Sequence, residues 1–161
     1  MPDLVTHTAV AHLLRRSIDL KKYSRADSRL RVLFYLGTIL PDILTRPWYI
    51  LFPSTHDWTL PFHTPIGALL ICALLALFFE SRLQKRAFAW LASGTVLHFL
   101  LDGLQRQVVD NNLWLYPFSW KDFGYGFLWA GEIMRFIPVT LGLVVLLEIG
   151  MAFRRKADRA R

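Results

Sequence analysis

Apolar stretches alternate with clusters of positive charge along this chain, and that alternation leaves few architectures open to it. Seven Lys and Arg residues lie between positions 15 and 31, three between 82 and 86, and five between 154 and 161. The apolar stretches run over 32–52, 64–79, 88–101 and 128–153. The first is broken at Pro41-Asp42 and at Arg46-Pro47, and the last is interrupted by Glu132 and Arg135. An even number of stretches separates each basic cluster from the next. The excess of Lys and Arg in cytoplasmic loops then puts all three clusters on the inner side. The expected fold is all-α: a polytopic membrane helical bundle of about four spans plus an N-terminal short or partly inserted helix. The second and third stretches fall short of the roughly 20 residues of a simple span, so their polar ends belong within the bundle or near the interface.

Composition agrees with a small integral membrane protein. The chain is 54% hydrophobic yet carries a formal net charge of +7, and its mean hydropathy is +0.34. A soluble nucleic-acid binder is rarely so apolar, so no nucleic-acid role is expected. The basic stretch 15–31 reads as an anchor on anionic lipid, worth about 1 kcal/mol per basic residue near the surface. The 161 residues are enough for one domain, 1–161, ending in a basic cytoplasmic tail, 154–161. Cys72 is the one cysteine, which excludes a disulfide framework or a CxxC site, and it reads as a packed apolar residue. The N-terminus shows no signal-peptide pattern. A bacterial-type inner membrane is the expected location.

The loops expected on the outer side are nearly free of positive charge. Positions 53–63 hold no Lys or Arg, and 103–127 hold Arg106 and Lys121. They carry Trp58, Trp114, Tyr116, Trp120 and Tyr125 instead, which suits an interfacial aromatic belt. At the N-terminus, Leu4, His7, Val10, Ala11, Leu14 and Ile18 recur at helical spacing, predicting a helix over 3–20 with Asp3 as its cap. Positions 23–29 read as a cytoplasmic connector.

Against this apolar background, Asp42, His63, His98 and Asp102 are anomalous. An ionisable group at the centre of a membrane helix costs roughly 2.5–3.5 kcal/mol on insertion scales. His98 and Asp102 are four apart and share a helix face, a spacing that lets imidazole and carboxylate ligate one ion. Depth can be gauged from the nearest basic or acidic border at 1.5 Å per residue. His7 then lies roughly 12 Å deep, Asp42 roughly 16 Å, His98 roughly 18 Å, Asp102 roughly 24 Å and His63 roughly 25 Å. Residues of ligand type on separate segments thus fall at similar depth. Each also has a plain structural reading: His7 as a hydrogen-bonded core histidine, Asp42 as a cap on a broken helix, His63 as an interfacial residue, and His98 with Asp102 as a buried pair. His12 reads as a polar-face residue and His56-Asp57 as part of a solvated loop. Glu132 and Arg135, at i, i+3, read as an ion pair near the membrane edge.

The ordered set Thr6-His7, Leu40-Pro41-Asp42, Phe62-His63-Thr64-Pro65, His98-Phe99-Leu100-Leu101-Asp102 and Leu115-Tyr116-Pro117-Phe118 resembles the YdjM-like membrane-bound metal-dependent hydrolases. The ligand order is also similar to that of zinc-dependent phospholipase C. The resemblance implies a principal zinc site at Asp42, His63, His98 and Asp102, with His7 contributing to a neighbouring one. Two departures stand out. The run before His63 is longer than the HRGxTHS-like run of many family members and lacks its arginine. Leu128 stands four before Glu132, so the downstream HxxxE of phospholipase C is missing.

The function expected is hydrolysis, with Asp42 or Asp102 as ligand or base. Four N/O donors without cysteine suit Zn²⁺, with Mn²⁺ or Fe²⁺ as alternatives. The expected partners are membrane lipids and a small or lipid phosphoester substrate, a site opening toward the outer interface favouring an amphipathic one. Two other readings compete: a non-enzymatic membrane protein whose polar residues bind metal or hold helices together, and a proton-coupled transporter, which lacks support from any inverted repeat.

Overall fold

The computed structural model describes residues 4–19, 30–106, 113–121 and 124–159. The expected cap Asp3, the connector 23–29 and the last two residues of the tail lie outside the described residues. The chain is mostly helical. Among the described residues, five helices carry the structure: α1 Leu4–Asp19, α2 Val32–Leu51, α3 Pro65–Ala76, α4 Ser81–Leu104 and α5 Ala130–Arg159. Short helical turns, Pro53–Thr55, His56–Thr59 and Leu60–His63, join α2 to α3. Two residue pairs form a minimal parallel ladder, β1 Gln105–Arg106 with β2 Leu128–Trp129.

The expected four spans are corrected by the structure. Among the described residues, two helices are long and apolar enough to cross a membrane: α4 and the Met134–Arg154 part of α5. A third appears only if Pro53–His63 and Pro65–Ala76, bent by 74°, count as one span. The physical reason lies in α2. It has 20 residues, but Asp42, Arg46, Pro41 and Pro47 dilute its apolar character. Two other expectations also change. The stretch 32–52 is one helix rather than a broken one, with Pro41 and Pro47 inside it. The stretch 88–101 lies within a 24-residue helix, so its length is no longer short.

Pro41 costs α2 one hydrogen bond, because it has no N–H to give to the Gly37 carbonyl one turn earlier. Thr95 of α4 supplies the missing donor, with its Oγ1 3.1 Å from Gly37 O. That exchange is possible because α2 and α4 lie backbone to backbone. A Cβ on Gly37 would collide with the Leu91 carbonyl, and one on Gly94 with the Phe34 carbonyl. Small residues allow such close approach where lipid offers no hydrophobic drive between helices. The two helices run parallel, since Phe34 and Gly37 meet Gly94 and Leu91 while Thr38 and Asp42 meet His98. Behind this seam, Leu40, Cys72 and Leu91 form the apolar core with Leu33, Leu36, Leu44, Ile71 and Leu75. Cys72 is buried as expected, its Sγ 3.2 Å from Thr95 Oγ1.

The helix α1 packs on α2 and α5. Its buried positions are His7, Ala9 and Ala11, whereas Leu4 and Leu14 are exposed, so the expected apolar face is only partly the packed one. None of the apolar window of α5 is buried within the molecule.

Candidate metal centre

Each candidate ligand is positioned by a different local device. His98 and Asp102 project from one face of α4 at i, i+4, with His98 Nε2 3.4 Å from Asp102 Oδ2. The His98 ring is fixed from behind: Nδ1–H donates to the Thr38 carbonyl at 2.8 Å. A carbonyl only accepts, so Nδ1 carries a proton, and in the neutral ring Nε2 is left bare, the arrangement typical of a metal-binding histidine. Asp42 comes from α2, one residue after Pro41.

His63 arrives from outside the bundle. Thr64 caps α3, accepting from Gly67 N–H at 3.2 Å, and Pro65 occupies the first helical turn. The chain before this cap turns back so tightly that a Cβ on Gly67 would collide with the Pro61 carbonyl. That reversal sets His63 against the face of α2 and α4 bearing Asp42 and Asp102.

The structure brings all five expected residues together. His63 Nε2 lies 3.2 Å from His98 Nε2, 3.3 Å from Asp42 Oδ1 and 3.4 Å from Asp102 Oδ2. His98 Nε2 is 4.0 Å from Asp42 Oδ1. Two ligands on a tetrahedral ion with bonds of about 2.0–2.1 Å stand roughly 3.3 Å apart, so the three contacts of His63 Nε2 are of the size expected of ligands that share an ion. His7 joins from the other side, with Nε2 3.3 Å from Asp102 Oδ1 and its ring 4.7 Å from that of His98.

Two donor groups are each compact enough to hold a metal ion: His7, His98 and Asp102, or Asp42, His63 and His98. Both use His98, and its one bare nitrogen ligates one ion at a time. The two groups therefore compete for His98 rather than forming independent full sites. Asp102 faces both, offering Oδ2 to His63 and His98 and Oδ1 to His7.

Burial makes a cation the natural occupant. His7 and His98 are 0% exposed, and Asp42 and Asp102 are 1% exposed. Asp42 Oδ1 accepts no hydrogen bond among the described residues, and an unsatisfied buried charge is far costlier than a paired one. Arg46 meets the other oxygen, with its guanidinium 2.8 Å from Asp42 Oδ2. With neutral imidazoles, the cluster thus holds two carboxylates against one guanidinium. His63 is the accessible member, its side chain 21% exposed, so the centre opens on its side.

Several partners escaped the sequence reading. In the sequence Arg46 reads as a break in an apolar stretch, although its i+4 spacing from Asp42 is the signal for this pairing. The Thr38 carbonyl has no side-chain signal at all. Gln105, three residues beyond Asp102, is buried with neither amide atom hydrogen-bonded among the described residues. His12 lies apart from the centre, as expected. Its Nδ1 is 3.0 Å from Tyr35 Oη and its Nε2 2.8 Å from Glu148 Oε1, and Arg16 also binds Glu148. His56 lies beside the exposed Asp57. Among the described residues the expected Glu132–Arg135 pair does not form: Glu132 instead accepts the Trp129 N–H at 2.9 Å, at the start of α5.

Comparisons of the chain with protein-family models, curated proteins and solved structures found no match.

Proposed function

We propose that this chain is a membrane-bound metal-dependent hydrolase acting on a phosphoester, as its resemblance to YdjM-like hydrolases implies. The observation that carries the reading is the approach of His63 Nε2 to His98 Nε2, Asp42 Oδ1 and Asp102 Oδ2, at 3.2, 3.3 and 3.4 Å. Nitrogen and oxygen donors without sulfur suit Zn²⁺. The metal, when bound, supplies an acidified water and polarises the phosphoryl group.

The chain's own residues do the rest. Thr38 holds His98 in the required tautomer, and Arg46 holds Asp42. Asp102 Oδ1 lies beside His7 and is the carboxylate oxygen assigned here to take the proton that water gives up. The guanidinium of Arg46 stands ready for the negative charge that develops on the phosphoryl oxygens. The inner-membrane location, with the basic segments cytoplasmic, is part of the same reading.

Elemental analysis of detergent-purified protein tests it, together with hydrolysis of bis(p-nitrophenyl) phosphate with and without chelator. Near-stoichiometric zinc and chelator-sensitive turnover are the expected results. The competing reading is a non-enzymatic protein in which these residues fasten helices together, favoured by the His98–Thr38 and Thr95–Gly37 bonds across the α2–α4 seam. Metal-independent stability and no turnover would select it.

A further inference from the structure

Beside the centre, the chain leaves a large apolar surface uncovered. The end of α2 and the segment that follows it expose Leu51, Phe52, Trp58 and Phe62, with Trp58 81% exposed. Phe118 and Trp120 of a second segment are also exposed, Phe118 by 84%. These segments meet at the mouth of the site. The Phe99 ring packs on His63 at 5.7 Å and on Trp114 at 6.2 Å. Backbone bonds from Tyr125 and Phe127 to Gly103 and Leu104 fold the second segment over the end of α4. An uncovered apolar patch of this kind marks a partner or a membrane.

Geometry favours the membrane. The axis of Pro53–His63 is bent 74° from that of α3, and α3 contains no charged residue. With α3 along the bilayer normal, the segment lies close to the bilayer plane. Exposed Trp and Phe on an in-plane segment without Lys or Arg match the aromatic belt at a lipid interface. His63, the accessible ligand, is the last residue of this segment. Arg46, 18% exposed, stands beside the same centre.

We infer that the substrate is a membrane phospholipid that enters sideways from the interface, its phosphoester reaching the centre past His63 while its acyl chains stay in the bilayer. This rests on the hydrolase reading above. Trp58 and Phe62 seat the mouth at headgroup depth. Water adds to phosphorus, one P–O ester bond breaks, and the departing alcohol oxygen takes up a proton. Phosphorus keeps its oxidation state, and no further reactant is consumed.

The test uses the full chain in nanodiscs of phosphatidylethanolamine and phosphatidylglycerol brominated near the top of their acyl chains. Tryptophan quenching in the wild type is expected to fall in Trp58→Phe, which locates Trp58 at the interface without reference to activity. In parallel, release of headgroup or phosphate from the same lipids is compared with hydrolysis of bis(p-nitrophenyl) phosphate. Trp58→Ser is expected to lower lipid turnover by about tenfold relative to the soluble diester, the scale of losing one interfacial aromatic. Unchanged quenching in Trp58→Phe overturns the inference. So does turnover of the soluble diester without turnover of lipid, which leaves the hydrolase reading standing. Zinc-loaded protein that hydrolyses neither substrate overturns both.

Discussion

The Nε2 atoms of His63 and His98 stand 3.2 Å apart, although one residue ends a helical turn and the other lies deep in α4. With the His98 proton held on Nδ1 by Thr38, its Nε2 lone pair points at His63. Only a shared proton or a cation makes such an approach favourable. His98→Ala and Asp102→Ala are each expected to abolish zinc retention through gel filtration. His12→Ala, on the far side of α1, is expected to keep it. Equal zinc in all three, by elemental analysis, would contradict the assignment.

Arg46 engages the oxygen of Asp42 that faces away from His63. Groups that orient a ligand in this way typically contribute 10–100-fold to metal affinity. Arg46→Ala is expected to weaken zinc binding by about that factor, read by competition with a fluorescent chelator. Arg46→Lys keeps the charge but not the planar fork, and is expected to fall between wild type and Ala.

Thr95 fills the carbonyl that Pro41 leaves open. Thr95→Val removes the donor and keeps the shape, so a buried carbonyl loses its partner at a cost of about 1–3 kcal/mol. Thr95→Ser is expected to retain most of the stability. Thermal unfolding in detergent, with both variants side by side, separates the hydrogen bond from the packing.

Gly37→Ala and Gly94→Ala each force a methyl group into a facing carbonyl. Overpacking of this sort costs roughly 1–3 kcal/mol, and backbone leaves little room for relief. Both variants are expected to lower the unfolding temperature and to lose zinc, although neither glycine is a ligand.

Glu148 joins His12 and Arg16, but its side chain is 37% exposed. Partly exposed pairs contribute little, and polar contacts between membrane helices average about 0.6 kcal/mol. Glu148→Gln is expected to change stability by less than about 1 kcal/mol and to leave zinc content unchanged.

The centre was more legible in the sequence than the membrane topology was. Asp42, His63, His98 and Asp102 stand out because ionisable groups are rare in apolar sequence, and helix rise alone put them at similar depth. The count of spans failed on the same residues. Asp42 and Arg46, which build the centre, lower the apolar character of α2 below that of a free-standing span. Residues 53–63 follow no single helical period, because three short turns replace one helix there. Thr38 was illegible for a different reason. Its contribution is a backbone carbonyl, which every residue has, and only the approach of α4 makes it matter.

That approach also sets the register of the two faces that bear Asp42, His98 and Asp102. Because α2 and α4 run parallel, a slide of one past the other by a single residue shifts their donors by about 1.5 Å. Metal–ligand bonds tolerate about 0.2 Å. Gly37 and Gly94, each notched against a carbonyl of the opposite helix, work like the teeth of a vernier: the register of Asp42 against His98 and Asp102 is set at two positions that bear no ligand-type atom and no charge.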